Sequence, residues 1–64
     1  MPSIKAEQEF EVTFRNRSGD MTSQKTIATG VSNTEVRKRF ESMGYQVMGV
    51  VYKRLTGRSI QISN

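Results

Sequence analysis

The sequence predicts an α+β fold, a two-layer sandwich of order ββαββ in which one helix packs on a four-stranded, mainly antiparallel sheet of strand order 2-1-3-4. Three observations carry this expectation. Apolar and polar residues alternate from Glu7 to Arg15 with the period of two that a half-buried strand requires. Ser32-Asn33-Thr34-Glu35 has the form of a capping box, and it is followed by Val36, Phe40 and Met43 at helical spacing and by Gly44 as a stop. From Tyr45 to Arg54 apolar side chains fall on both faces, as they do in a central strand.

Taken in order, the first strand sends Phe10, Val12 and Phe14 to one side and Glu9, Glu11, Thr13 and Arg15 to the other. Asn16-Arg17-Ser18-Gly19-Asp20 supplies turn chemistry, so a hairpin loop leads to a second strand, about Ser23 to Thr29, with Ile27 inward. This strand is short and weakly apolar, as an edge strand would be. In the capping box the Ser32 hydroxyl accepts from the third helical N–H and Glu35 reaches back to the cap. Tyr45, directly after Gly44, sits where a glycine-terminated helix places an apolar contact back onto its last turn. If Tyr45 faces the helix, strict alternation puts Val47, Gly49 and Val51 there too, with Gly49 allowing close approach. Gln46, Met48, Val50, Tyr52 and Arg54 then take the opposite face. Leu55-Thr56-Gly57 reads as a turn, and Ser59 to Ser63 as a fourth strand with Ile60 and Ile62 inward.

Sixty-four residues form one domain, 1–64, with one small core. A chain of this size buries only about 60% of the surface its unfolded form exposes, so stability is marginal and needs a supplement. With no Cys and no His, disulfides are excluded and zinc lacks its usual ligands. Self-association or economical packing is left. No apolar run approaches the roughly 18 residues of a membrane span, and Met1-Pro2-Ser3-Ile4-Lys5 lacks the apolar core of a signal peptide, so the expected location is cytoplasmic.

The net charge is +4 and the pI near 10.0, unevenly placed. Residues 1–35 set four cations against five carboxylates, and residues 36–64 set six cations against Glu41 alone. A basic half of this kind favours polyanions. Arg37-Lys38-Arg39, however, spreads around a helix at about 100° per residue, with Glu35 and Glu41 nearby, and does not make one patch. Lys53, Arg54 and Arg58 bracket the last turn beside Tyr52. Together with Tyr52 they are the nucleic-acid-binding candidates, a basic hairpin tip that would track phosphate by counterion release.

The leading candidate site is a protein interface. Met48, Val50 and Tyr52 would line a strip of sheet that a single helix leaves bare, and such contiguous apolar surface marks interaction sites. Glu7, Glu9 and Glu11 share a strand face without any His, phosphate-cradling loop or second acidic cluster, so no catalytic residue, metal site or cofactor is assigned. The expectation is a non-enzymatic protein-binding or regulatory module, a homodimer or an adaptor or inhibitor docking on a larger protein. The alternative is a basic nucleic-acid-binding domain. Neither a membrane nor a small-molecule substrate is expected as a partner. In size and composition the chain resembles the short, cysteine-free accessory proteins of bacteria and their phages.

Overall fold

The computed structural model describes residues 3–17 and 22–62, with the backbone alone at Ile62; residues 18–21 of the expected first loop and residue 63, the last of the expected fourth strand, lie outside them. The elements are β1 (Ser3–Asn16), β2 (Gln24–Gly30), α1 (Asn33–Ser42) and β3 (Tyr45–Ile62). The sheet is antiparallel with strand order β2-β1-β3, so α1 carries the chain across the central β1 from one edge to the other. No helix among the described residues is long and apolar enough to cross a membrane.

The four-stranded ββαββ expectation is overturned. Leu55-Thr56-Gly57 does not turn the chain back; β3 runs on through it and pairs with Ser3–Ala6, the start of β1. The local cause is a bulge. Opposite Glu7, between the pairs Ala6/Ser59 and Gln8/Leu55, β3 carries Thr56, Gly57 and Arg58. Gly57 adopts φ +86, a left-handed conformation that a glycine takes without steric cost. The Thr56 hydroxyl donates to the Glu7 carboxylate at 2.6 Å and in turn accepts from the Arg58 N–H at 3.3 Å, which satisfies the displaced backbone. A glycine that looks like a hairpin turn therefore only bends one long strand.

Two further irregularities set which side chains meet the helix. Met48 is an extra residue between the pairs Phe14/Val47 and Thr13/Gly49, and Lys53 is extra between Phe10/Tyr52 and Glu9/Arg54. Tyr45 and Val47 pack against the core as alternation requires. After Met48 the phase flips, so Val50, not Val51, packs there. Val51 stands 58% exposed opposite Glu11 on the far face. Gly49 likewise falls opposite Thr13, away from the helix, with no atom near enough for it to admit a close approach. Pairing of β1 with β2 is regular and puts Ala28 opposite Phe10 and Ile27 opposite Glu11, so Ala28 is the inward residue and Ile27 is exposed.

The core is Phe10, Val12 and Phe14 of β1 beneath Val36 and Phe40 of α1. Phe14, Phe40 and Tyr45 form a ring cluster with centroids 4.8–6.3 Å apart, the spacing at which tilted aromatic pairs attract. It secures the helix end, where Met43 is the cap, exposed rather than core-facing, and Gly44 turns the chain at φ +93. At the other end Ser32 Oγ accepts from the Glu35 N–H at 3.1 Å. The Glu35 carboxylate reaches one residue further back than a capping box requires, accepting from the Val31 N–H at 3.3 Å, and it holds Arg39, which also donates to the Thr29 carbonyl at 2.8 Å.

Gly30 is buried where this network crosses β2. A Cβ there would meet the Glu35 carboxylate, Val36 Cγ2 at 2.7 Å and Arg39 Nη2 at 3.0 Å. Glu35 and Arg39 can swing aside, but Val36 is fully buried and cannot. Gly30→Ala is expected to destabilise the fold by about 1–3 kcal/mol, the range for overpacking, read as a lower urea midpoint at unchanged slope; an unchanged or higher midpoint would refute this packing.

Candidate functional site

The extra residues of the three bulges all belong to β3, so alternation along β1 is unbroken and Ile4, Ala6 and Gln8 share the side of Phe10, Val12 and Phe14. The helix does not reach that far. Ten residues span about 15 Å, whereas the molecule is 42 Å long and only 12 Å thick. α1 begins over Val50, whose carbonyl accepts from Asn33 Nδ2 at 2.8 Å, and it runs toward Tyr45. Gln8 Nε2 donates to the Val31 carbonyl at 2.9 Å and marks the boundary of cover.

Past that boundary the helix-side face continues as an apolar ledge. Tyr52 lies opposite Phe10, Leu55 opposite Gln8, and Ile4 opposite Gln61. Tyr52 stands edge-on to Phe10, with centroids 6.2 Å apart and planes at 72°, so one side of its ring shields the core while the residue remains 51% exposed. Leu55 is 57% and Ile4 74% exposed. Beyond Gln8 only β1 and β3 pair, which leaves Ser3–Ala6 and Ser59–Ile62 as a two-stranded arm projecting from the three-stranded body.

The expected strip of Met48, Val50 and Tyr52 is thus divided. Val50 packs against the core under the start of α1, Tyr52 belongs to the ledge on the helix side, and Met48 occupies the bulge, where Ser23 Oγ approaches its sulfur at 3.4 Å. They do not share a helix-free face because the bulge at Met48 changes the phase of β3 between the first residue and the other two. Leu55 and Ile4 carry no signal of this role in the sequence. Leu55 stands next to Thr56-Gly57, which has the composition of a turn, and Ile4 precedes the stretch in which alternation is evident.

The basic candidates are not a hairpin tip, since β3 does not turn there. Lys53 and Arg58 fall in successive bulges of one strand. Arg54 lies between them and is engaged by Glu9 on the helix-free face, with Nε–Oε2 3.2 Å and Nη2–Oε1 3.3 Å. The hydrogen bond to Glu9, then its charge, raise the Arg54 pKa above its already high ordinary value. On the same face Ile27 and Val51 flank Glu11, and Arg15 donates to Gln46 at 2.9 Å, so carboxylates, cations and single apolar residues alternate there. Glu7, Glu9 and Glu11 have separate neighbours; among the described residues no group of acidic side chains converges to hold a metal ion, and no pocket is found. No family model matches the chain, and neither the curated proteins nor the solved structures contain a match.

A Cβ added at Gly57 would have no neighbour within 4 Å, so replacing this residue tests conformation alone. Gly57→Ala is expected to cost about 1–2 kcal/mol, the strain of a left-handed alanine, and to act on the arm. Amide exchange should quicken at Ser59, Ile60 and Gln61 while Val12 and Phe14 stay protected; equal loss of protection throughout would show that the arm is no separate unit.

Proposed function

We propose that this chain is a non-enzymatic protein-binding module whose contact surface is the apolar ledge formed by Tyr52, Leu55 and Ile4. The observation that carries the reading is the balance between buried and exposed apolar side chains. Among the described residues the core is confined to Phe10, Val12, Phe14, Val36 and Phe40, while Ile4, Ile27, Met43, Met48, Val51, Tyr52 and Leu55 are each more than half exposed. Contiguous apolar surface at the edge of so small a core gains free energy when another protein covers it, at about 25 cal/mol for each Å² removed from water.

The shape supports the same reading. The radius of gyration is 13.0 Å, against roughly 11 Å for a closely folded chain of this length. The excess lies along the 42 Å axis, as a projecting arm requires. Tyrosine and leucine on a flat, thin surface suit a protein partner better than a phosphate backbone. The cations that would serve the alternative are dispersed: Arg39 is held by Glu35 and Arg54 by Glu9, and the bulges separate Lys53 from Arg58.

The test is partner capture from the native host together with the solution mass of the purified chain, for wild type, for Leu55→Glu and for Met48→Glu/Tyr52→Ala. The reading expects a stoichiometric partner, which includes the chain itself, bound by wild type and lost in Leu55→Glu with the circular dichroism of the folded protein retained. In the double variant Tyr52→Ala also uncovers Phe10, so part of its effect will be lower stability. A monomer that captures nothing, or binding indifferent to Leu55, would overturn the proposal.

A further inference from the structure

We infer that the occupant of the ledge is an acidic, apolar segment of another protein, which sets carboxylates against Lys53 and Arg58 while its large side chains cover Tyr52 and Leu55. The inference rests on the protein-binding reading above and gives its partner a chemistry. Two groups of residues that the sequence presents as separate candidates coincide in the fold. The apolar Tyr52 and Leu55 and the cationic Lys53 and Arg58 stand on one exposed stretch of β3, where Lys53 follows Tyr52 in one bulge and Arg58 closes the bulge that follows Leu55.

Charge complementarity decides the partner. Among the described residues Lys53 and Arg58 take part in no ion pair. The carboxylates of the nearest rows are engaged elsewhere: Glu9 holds Arg54, and Glu7 accepts from the Thr56 hydroxyl at 2.6 Å. Both belong to the odd-numbered side of β1, and the side that carries Ile4, Ala6 and Gln8 contributes no acid. An apolar surface edged by two uncompensated cations is left, and a partner gains most there by bringing negative charge together with apolar bulk. A second copy brings the opposite. A two-fold contact on this stretch sets Lys53 and Arg58 near their own counterparts, in a chain of net charge +4.

Geometry and chemistry also separate a protein segment from a nucleic acid. Lys53 lies between the Phe10 and Glu9 rows and Arg58 in the bulge opposite Glu7, so their positions are roughly 8–10 Å apart at about 3.4 Å per row. Acidic residues two or three apart in an extended segment span that distance. Two phosphate contacts, by contrast, draw little from counterion release, on which nucleic-acid binders with about 6–10 contacts depend. Leu55 and Ile4 need aliphatic cover that a sugar–phosphate chain lacks. Tyr52, edge-on to Phe10, is one ring on the ledge, whereas stacking sheets hold two or three bases on several.

Fluorescence anisotropy with the full chain and labelled probes tests this. The main probe is a short peptide of leucines set among aspartates, run beside the same peptide with asparagine for aspartate, an oligoaspartate and an oligothymidylate. The leucine–aspartate peptide should bind most tightly and release as salt rises. Asparagine in the peptide, or Lys53→Gln/Arg58→Gln in the chain, should weaken binding by about fivefold, the effect of two exposed ion pairs, and flatten the salt dependence. Both cations are exposed, so their replacement leaves the fold intact. Lys25→Gln/Lys38→Gln removes equal charge on β2 at the far edge of the sheet and on the exposed side of α1, and it should change neither. Leu55→Glu should weaken binding at least about tenfold, as loss of an apolar anchor does. Equal binding of the aspartate and asparagine peptides, or indifference to Lys53 and Arg58, would overturn the inference; the protein-binding reading would stand if a captured partner still depended on Leu55. Tighter binding of oligothymidylate than of either leucine peptide would overturn it in favour of a nucleic acid. Absence of saturable binding of every probe up to millimolar chain would overturn it as well.

Discussion

A helix of about 15 Å must cover the sheet of a molecule 42 Å long, and most of this structure follows from that mismatch. Where α1 lies, the apolar residues of β1 are sealed: Phe10, Val12 and Phe14 are buried under Val36 and Phe40. Where α1 ends, the same alternation continues through Gln8, Ala6 and Ile4 with nothing above it. The boundary is built from polar contacts, Gln8 to the Val31 carbonyl and Asn33 to the Val50 carbonyl, which tie the helix start to the sheet.

The second determinant is irregularity in β3. A strand of regular alternation would have placed Val51 and Gly49 under the helix and Tyr52 on the far side. The extra residue at Met48 reverses this, and the extra residue at Lys53 brings Leu55 back to the helix side beside Tyr52. The third bulge, at Thr56, Gly57 and Arg58, bends the strand and lets it continue along the arm. Bulges increase twist and blunt an edge against unwanted pairing, and here two of them carry exposed cations, Lys53 and Arg58, along an 18-residue edge strand.

The two faces of the sheet divide the chemistry. On the helix-free face Glu9 holds Arg54 across the strands and Arg15 meets Gln46, so Ile27 and Val51 are isolated among polar neighbours. Single exposed apolar residues of that kind are ordinary on a protein surface. On the helix side Tyr52 and Leu55 occupy successive rows, and Ala6 leads on from them to Ile4. The distinction between scattered and contiguous apolar surface is what assigns the proposed contact to one face.

The sequence by itself determined the elements whose causes are local. The capped helix beginning after Ser32, its end at Gly44 and the alternation of β1 all follow from residues within a few positions of one another. The central place of β1 between β2 and β3 was legible too, because it lets each neighbouring pair run antiparallel. The phase of β3 was not, because a run such as Val47, Met48, Val50, Val51 and Tyr52 is apolar on both faces and carries no period that would disclose an inserted residue. Nor did any local pattern show that Ser3–Ala6 and Ser59–Ile62 form an arm, since that pairing joins residues more than fifty positions apart and competes with a stretch that has the makings of a glycine turn. Tertiary structure decided both, through the cross-strand register, and with them the position of the ledge: which apolar residues the helix reaches is a matter of length and phase in three dimensions, and no local pattern encodes it.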